Sequence, residues 1–339
     1  MGAQITKEKE VGEEETKLQQ LEKTDGTSFP GSNYQCANRK EWMSTLPLDK
    51  IKVRDLVWPG THDSATNEIG IPFISRPFAR CQKLSIYNQL VLGARVLDIR
   101  IQQDKLICHG PLTSYPVADV LTDVKQFLSE TTSEFVILEI RTEFSWNDPP
   151  NFDQWLVEQL GDYLIPQDIS TFDKTFQQLL PQTRLFCVWK PNTASNAPPA
   201  GSQLWNSDYL LDNWIDTDLP FTKFNSNLNY LAQQAPNDTR NYFYRVENTA
   251  TPQISGPVLC VFPVTQRIRP FARLFITETF KRGIADRLQI FVEDFVQADF
   301  IDACVGLNVA RYAPSQLLLD SQSEATKQEA SSSSSSSSS

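Results

Sequence analysis

Both histidines of the chain follow short apolar runs and stand near other groups that could take part in acid–base chemistry. His62 and Asp63 lie in the heptapeptide WPGTHDS, and His109 follows a second apolar run. Between them, Asp98 and Arg100 are two positions apart in a third run, so their side chains would share one face of a strand. An imidazole titrates near neutral pH, and an arginine can hold a phosphate. The set therefore predicts phosphodiester chemistry.

The elements that must position these residues alternate between strands and helices. Apolar residues from 117 to 128 recur with helical spacing, and the run 135–141 is typical of a strand covered on both faces. Gly60 is expected to permit a turn after the first strand. The predicted strands are 53–57, 94–101, 106–108, 135–141, 184–189, 242–246, 258–262 and 289–292. The predicted helices are 84–92, 117–128, 152–164, 172–180 and 270–281.

This alternation predicts an α/β protein with one (β/α)8-like TIM barrel, irregular or partly open. An open, doubly wound sheet is the alternative architecture, but it would usually carry a glycine-rich phosphate loop after the first strand. The sequence predicts a charged N-terminal arm over 1–35 that is disordered or, as the alternative, loosely helical, a catalytic barrel over 40–318, and a disordered serine-rich tail over 319–339.

Composition narrows the possible partners and compartments. The chain has 339 residues and a net charge of −10, which argues against nucleic acid as the main partner. Its six cysteines are scattered without a CxxC pair, which is typical of free thiols in a reducing compartment. No run approaches the roughly 20 apolar residues of a membrane span, and no signal-peptide core is visible. We therefore expect a cytoplasmic protein with peripheral membrane contact.

The N-terminus matches a lipidation pattern. Gly2 and Thr6 occupy the two defining positions of the N-myristoylation motif, so Gly2 is a candidate acylation site. A chance occurrence of so short a pattern is an equal alternative. Residues 1–25 carry four lysines against seven acidic residues, so a single acyl chain here would give only weak, reversible attachment to a membrane.

The motifs GTHDS, LDIR and HG, in this order, resemble the X domain of phosphatidylinositol-specific phospholipase C, and more closely its compact, metal-independent bacterial type. The resemblance covers residues 40–310 and is strongest from 53 to 141. It implies that His62 is the base and that His109, supported by Asp63, protonates the leaving oxygen. Arg100 would hold the phosphate.

The resemblance also implies roles for residues at other strand ends. Asp98 would orient Arg100, and Asp294 would hydrogen-bond the base His62. Arg141 and Lys190 would face the inositol ring or its phosphate, although ordinary charges at a barrel mouth are an equal alternative. Glu143 and Glu247 are candidate acceptors for the inositol hydroxyls.

No metal or other cofactor is expected. Calcium-dependent relatives place acidic or amide side chains at positions that correspond to Asp63, Asp98, Arg100 and Arg141. Two of these four residues are arginines here, and fixed cations would repel Ca²⁺. The arginine therefore takes the place of the metal in this interpretation.

Three functional hypotheses follow. The first is an enzyme that cleaves phosphatidylinositol into diacylglycerol and a cyclic inositol phosphate. The second is the same chemistry on another phosphodiester, such as a glycosylated inositol lipid or a lysolipid. The third is a non-catalytic barrel that binds inositol phospholipids, but such a module would need neither proton-transfer group. A phospholipid at a membrane surface is the expected partner, and no protein partner is inferred.

Overall fold

A computed structural model describes residues 2–317, with side chains from residue 6 onward. The predicted serine-rich tail over 319–339 lies outside the described residues. Among the helices of residues 2–317, none is long and apolar enough to cross a membrane.

The centre of the fold is a strongly curved sheet of parallel strands. Seven parallel strands follow the order β7-β8-β9-β1-β2-β5-β6, and β3 and β4 form an antiparallel hairpin that continues from β2. The strands are β1 (Trp58–Thr61), β2 (Val96–Ile101), β3 (Leu106–His109), β4 (Leu112–Pro116), β5 (Val136–Thr142), β6 (Leu185–Lys190), β7 (Leu210–Asp212), β8 (Phe243–Asn248) and β9 (Ile290–Glu293).

Helices cover the outside of this sheet. They are α1 (Gly2–Asp25), α2 (Ile86–Leu92), α3 (Val117–Glu130), α4 (Phe152–Leu160), α5 (Phe176–Leu179), α6 (Pro220–Gln233), α7 (Val261–Thr265), α8 (Ala272–Lys281) and α9 (Ala298–Tyr312). The predicted helix over 117–128 is confirmed, because its buried residues are the apolar positions of the helical pattern.

The barrel is closed by backbone pairing except at one seam. Strand β1 pairs with both β2 and β9, which joins the first and last strands. Between β6 and β7, only a bridge from Val188 to Trp205 spans the gap within residues 2–317. The predicted (β/α)8-like barrel, irregular or partly open, is confirmed.

Aromatic side chains fill the end of the barrel opposite the predicted site. Trp58, at the start of β1, contacts Phe176, Phe186 and Phe243 with ring centroids 5.5, 6.3 and 6.2 Å apart. Each of these rings is fully buried. This packing fills one end of the barrel, and the site residues lie at the other end, near the carboxyl ends of the strands.

The prediction for the first strand was wrong in its limits. Residues Val53–Asp55 form a 3-10 turn, and the strand is Trp58–Thr61, inside the motif itself. Gly60 therefore lies within a strand rather than in a turn. A Cβ atom there would come within 2.7 Å of Val96 Cβ and 2.9 Å of Val292 Cγ1, so glycine is required by the close approach of β2 and β9.

Two other parts of the chain also differ from the prediction. The expected strand over 258–262 is absent from the described structure, where Val261–Thr265 is a short helix instead. This helix contains Pro263, which has no backbone N–H to donate to a neighbouring strand, and it ends at Thr265. The segment is therefore poorly suited to pair in a sheet. The unassigned stretch before Ala235 contains the short strand β7 and the amphipathic helix α6.

The predicted disordered arm is instead a helix that packs on the barrel. Val11, Glu14 and Leu18 are spaced along one face of α1 and are buried. Glu14 accepts a hydrogen bond of 2.8 Å from the backbone amide of Thr222 at the start of α6, and Lys7 pairs with buried Asp218 at 3.3 Å. The high charge of this segment lies on the outer face, and composition alone therefore suggested disorder.

The docking of α1 predicts a measurable contribution to stability. Leu18→Ala should lower the free energy of unfolding by about 2–4 kcal/mol, because Leu18 is fully buried in the core. Lys9→Ala, on the exposed face of the same helix, should change it by less than about 0.5 kcal/mol. Urea unfolding of both variants measures the difference. Equal stability of the two variants would mean that α1 is not docked.

Candidate active site

The site begins where β1 ends. His62 is 5% exposed and Asp63 is 1% exposed. Asp63 adopts φ of 42°, a left-handed conformation that aspartate tolerates better than most residues. The turn is fixed from both sides, since Ser64 N donates to the carbonyl of Asp98 at 2.8 Å and Asp98 N donates to Ser64 Oγ at 2.8 Å. The first two strands therefore hold His62 and Asp63 in place.

His62 is oriented by a carboxylate from the last strand. Its Nδ1 lies 2.8 Å from Asp294 Oδ1, and Asp294 follows directly after β9. Thr265 Oγ1 donates to the other oxygen of Asp294 at 2.9 Å. A ring whose Nδ1 proton is held by a carboxylate presents Nε2 as the available base. Asp294 thus occupies the position that the sequence analysis gave it.

Arg100 is the central cation of the site. Its Nε forms an ion pair with Asp63 Oδ1 at 2.7 Å, and its Nη2 lies 2.9 Å from His62 Nε2. Asp98 Oδ2 is 3.5 Å from Nη2, and Glu143 Oε2 is 3.6 Å from Nη1. Asp63 therefore makes the shorter contact with Arg100, whereas the sequence analysis had given this orienting role to Asp98.

His109 approaches the same carboxylate from the β3–β4 hairpin. Its Nδ1 donates to the backbone carbonyl of Ala79 at 2.6 Å, and its Nε2 lies 3.7 Å from Asp63 Oδ2. His62 Nε2 lies 3.5 Å from the same oxygen. Asp63 thus brings the two imidazoles of the chain to one point, next to the Arg100 guanidinium.

These groups line a cavity of about 320 Å³. Its polar floor contains both histidines, Asp63, Arg100 and Asp294, and its walls are mostly apolar. Trp214 stacks on the His62 ring with centroids 5.3 Å apart and planes 25° apart. The buried nitrogen of Lys223 lies 4.4 Å from the centroid of the Trp214 ring. The cavity size is suitable for a ligand of headgroup dimensions.

A second charged cluster lies at the ends of β5 to β8. The buried carboxylate of Glu139 accepts from Arg141 Nη2 at 2.7 Å, from Lys190 Nζ at 2.9 Å and from Arg245. Asp212 Oδ2 accepts a hydrogen bond from Arg245 Nη2 at 2.8 Å and lies 3.6 Å from Arg141 Nη2. Arg141 and Lys190, which the sequence analysis selected, therefore lie together in this cluster. Arg141 pairs in register with Arg100 on the neighbouring strand, but neither residue is among those that line the cavity.

Glu143 and Glu247 have different surroundings. Glu143 faces Arg100 and also accepts from the backbone amide of Gly110. Glu247 is 2% exposed and contacts Arg245 Nε at 3.1 Å and Lys223 Nζ at 3.9 Å. Glu247 therefore belongs to a buried ion network behind the cavity wall.

Sequence reasoning missed several residues of the site. They are Cys81, Asp212, Trp214, Arg245 and Thr265. Arg245 and Glu247 are two positions apart at the end of a predicted strand, so their side chains share one face, and this spacing could have identified Arg245. Cys81 and Trp214 lie in loops, and Asp212 and Thr265 end a three-residue strand and a five-residue helix, elements too short for a periodic pattern to mark them. Cys81, with His62 and Asp63, also forms a group whose ligand atoms lie within 4.8 Å of one another.

The electrostatics favour a charged His62. Burial alone would lower its pKa, but the carboxylates of Asp63 and Asp294 outweigh this effect and raise the pKa of His62 to about 9. Burial would lower the pKa of Arg100 as well, but Asp63, Asp98 and two glutamates hold it well above its usual value. Since a protonated Nε2 cannot accept from Arg100, protonation of His62 and this hydrogen bond exclude each other.

Residues 57–184 match the family model described as Phosphatidylinositol-specific phospholipase C, X domain. This match covers the part of the chain that contains the motifs GTHDS, LDIR and HG, and it agrees with the resemblance that these motifs carry.

Two curated relatives each match about a third of the chain. A 1-phosphatidylinositol phosphodiesterase of Listeria monocytogenes is 36% identical over 111 residues, 32% of this chain and 35% of the relative. A variant-surface-glycoprotein phospholipase C of Trypanosoma brucei brucei is 32% identical over 127 residues, 35% of this chain and 36% of the relative. The chain thus spans about a third of the length of each of these relatives.

Solved structures resemble the whole barrel. Phosphatidylinositol-specific phospholipase C from Listeria monocytogenes has a TM-score of 0.64 at 22% identity, covering 80% of this chain and 99% of that one. The F249X mutant of the enzyme from Staphylococcus aureus has a TM-score of 0.60 at 17% identity, covering 80% and 99%. At these identities the likeness establishes a common fold.

The raised pKa of His62 can be measured directly. In a His109→Asn variant, one imidazole is left, and its NMR titration should have a midpoint of about 9. Adding Asp294→Asn should lower that midpoint, because a negative charge that stabilises the protonated ring is removed. A midpoint near 6.5 in the variant that retains Asp294 would contradict the described electrostatics.

Proposed function

We propose that the protein is a phosphoric diester hydrolase that cleaves phosphatidylinositol-type lipids into diacylglycerol and a cyclic inositol phosphate. The observation that carries the proposal is the approach of both imidazoles to one oxygen of Asp63, with Arg100 bound to the other oxygen. The match of residues 57–184 to the X domain supports the same substrate class.

The proposed reaction uses each group once. His62 Nε2 removes the proton from the inositol 2-hydroxyl, and the resulting oxygen attacks phosphorus. His109 gives its Nε2 proton to the diacylglycerol oxygen as the bond to phosphorus breaks. Asp63 stabilises the charged form of His109, and Asp294 holds His62 through Nδ1. The guanidinium of Arg100 stabilises the negative charge that gathers on the phosphoryl oxygens.

The resting state requires a proton to leave before the base can act. Because the pKa of His62 is raised to about 9, most of the free enzyme holds this ring protonated at neutral pH. The base is active only when deprotonated, so kcat/KM should rise with pH up to about 9. A substrate phosphate that draws Arg100 away from His62 would leave Nε2 free for the inositol hydroxyl.

We also propose that catalysis does not need calcium. Arg100 and Arg141 would place two fixed cations beside the phosphate, and Ca²⁺, which needs several oxygen ligands, would be repelled by them. Arg141 and Lys190, with Asp212, would bind the inositol hydroxyls, and Glu143 would accept from one of them. Glu247 would act only through Arg245 and Lys223.

Substitution of the proton-transfer groups tests this function. His62→Ala and His109→Ala should each lower kcat on phosphatidylinositol in mixed micelles by about 10²–10⁴-fold. Arg100→Lys should lower it by about 10²–10³-fold, because a single ammonium cannot present the guanidinium fork. Activity should persist in excess calcium chelator. Cleavage that depends on added calcium would contradict the role of Arg100.

A second substrate distinguishes a wrong choice of lipid from a wrong choice of reaction. If the purified chain leaves phosphatidylinositol intact, the same assay with a glycosylated inositol lipid tests the second hypothesis. Binding of either lipid without cleavage would favour a binding module and overturn the proposed enzyme.

We further propose that the rim of the cavity contacts the membrane. Phe73 is 98% exposed and has φ of 63°, and Ile254 is 97% exposed. Phe78, Ile254 and Leu259 are exposed and line the catalytic cavity. Phe73 therefore combines a strained backbone conformation with a large apolar side chain exposed to water, which is typical of a contact site rather than of ordinary surface.

A single substitution tests the membrane contact. Phe73→Ser should reduce the fraction of protein that sediments with phosphatidylinositol-containing vesicles by about tenfold, since an aromatic side chain is removed from the apolar boundary of the bilayer. Ile169→Ser, an exposed apolar position on the loop before β6 at the other end of the barrel, is the matched control. Equal sedimentation of both variants would exclude this rim.

The remaining expectations concern location and modification. We propose a cytoplasmic protein that acts at the membrane surface, since all six cysteines are free thiols and five of them are buried. Acylation of Gly2 stays a prediction, and mass spectrometry of the intact protein from its own cells tests it.

A further inference from the structure

A cysteine of the catalytic cavity has no part in the proposed reaction. Cys81 is 1% exposed, lines the cavity, and its Sγ lies 3.8 Å from Asp63 Oδ2. The backbone holds it on both sides, since Cys81 N donates to Thr66 Oγ1 at 2.9 Å and Phe295 N donates to the Cys81 carbonyl at 2.7 Å. A thiol in this fixed position adds a soft ligand to an otherwise hard site.

We propose that His62, Asp63 and Cys81 form a binding site for a thiophilic divalent cation such as Zn²⁺, and that the bound cation inhibits the enzyme. The three ligand atoms lie within 4.8 Å of one another and come from an imidazole, a carboxylate and a thiol. Three protein ligands and an open fourth position are typical of a zinc site that is accessible from a cavity.

The surroundings of the three ligands fit this assignment. Asp294 Oδ1 lies 2.8 Å from His62 Nδ1, so a carboxylate fixes the ring and leaves Nε2 for the metal. Arg100 Nε binds Asp63 Oδ1, which leaves Oδ2 directed towards Cys81. The same oxygen lies 3.5 Å from His62 Nε2, close to the edge of a tetrahedral coordination shell.

The local charge permits a cation in spite of Arg100. Three carboxylates, those of Asp63, Asp98 and Glu143, contact the Arg100 guanidinium, and a fourth, that of Asp294, contacts His62. Arg100 Nη2 would have to leave His62 Nε2 for the metal to bind, and Asp98 and Glu143 are available to receive it. The metal and the Arg100 contact with His62 are therefore competitors.

Inhibition follows from what the cation would occupy. On binding, the thiol of Cys81 and a protonated His62 release their protons to solvent, and the metal takes the Nε2 lone pair and the Cys81 sulfur lone pair. His62 could then no longer accept the proton of a substrate hydroxyl. Ca²⁺ and Mg²⁺, which prefer oxygen ligands, should not bind with comparable affinity. The inhibition rests on the proposed function, whereas the binding itself does not.

Cobalt absorption tests binding without any substrate. Titration of the full chain with Co²⁺ should produce a cobalt–thiolate charge-transfer band in the unsubstituted protein. Cys260→Ser, which removes the half-exposed thiol near the cavity, should keep that band. Cys81→Ser and Cys81→Ala should both lose it while retaining the thermal unfolding midpoint within a few degrees. A band that persists in the folded Cys81 variants would overturn the site.

Inhibition is then measured separately. After chelator treatment, buffered free Zn²⁺ should inhibit phosphatidylinositol cleavage by the unsubstituted protein and by Cys260→Ser with the same midpoint. The midpoint for Cys81→Ser should rise at least tenfold. Equal midpoints would overturn the inhibitory role of the site. If no variant cleaves the lipid, the proposed function fails, and the cobalt titration still decides whether the site exists.

Discussion

The contact between Arg100 Nε and Asp63 Oδ1, at 2.7 Å, is the interaction on which the rest of the site depends. It joins the end of β1 to a side chain of β2, across the closest strand pairing of the barrel. Because the carboxylate is tied down on one side, its second oxygen has a fixed position, and both imidazoles are arranged around that oxygen. Loss of this contact would release a buried charge on each strand, which is strongly destabilising.

A further constraint is that the contact requires strands that approach very closely. Gly60 provides this approach, since any Cβ atom there would collide with Val96 and Val292. Asp63 then turns back with a positive φ, so that its side chain points across the strand ends. Gly60 and Asp63 are three residues apart. The close strand packing at Gly60 and the turn at Asp63 together determine where the Asp63 carboxylate lies in the cavity.

Charge is balanced differently on the two sides of the cavity. On the His62 side, carboxylates exceed the fixed cations, which raises the pKa of the imidazole. On the Arg141 side, three cations share Glu139, and their attraction outweighs burial and lowers the pKa of Glu139 to about 2. Glu139 therefore stabilises the fold above pH 4.5, and this contribution is lost as the pH falls towards 2. One side is suited to exchanging protons, and the other to holding an uncharged or anionic ligand in one position.

Most of the barrel could be predicted because its strands and helices have regular spacing. The segments 94–101, 135–141 and 184–189 became β2, β5 and β6 with shifts of only one or two residues. The short strand β7 has three residues, too few for a pattern, and Asp212 and Trp214 were missed with it. The helix α1 was missed for another reason, because its few buried residues are outnumbered by charges that face solvent.

The predicted site residues succeeded or failed according to what surrounds them rather than by residue type. His62, His109 and Arg100 converge because each stands at a strand end or in a hairpin whose direction the sheet fixes. Glu247 also stands in a strand, yet it is enclosed by Arg245, two positions before it, and by Lys223, which no sequence pattern places near it. The end of a strand fixes the position of the backbone from which a side chain projects. Whether that side chain faces the ligand depends on the charged groups around it. For this reason a polar residue in a buried strand is weaker evidence for catalysis than one whose partners also belong to the motifs.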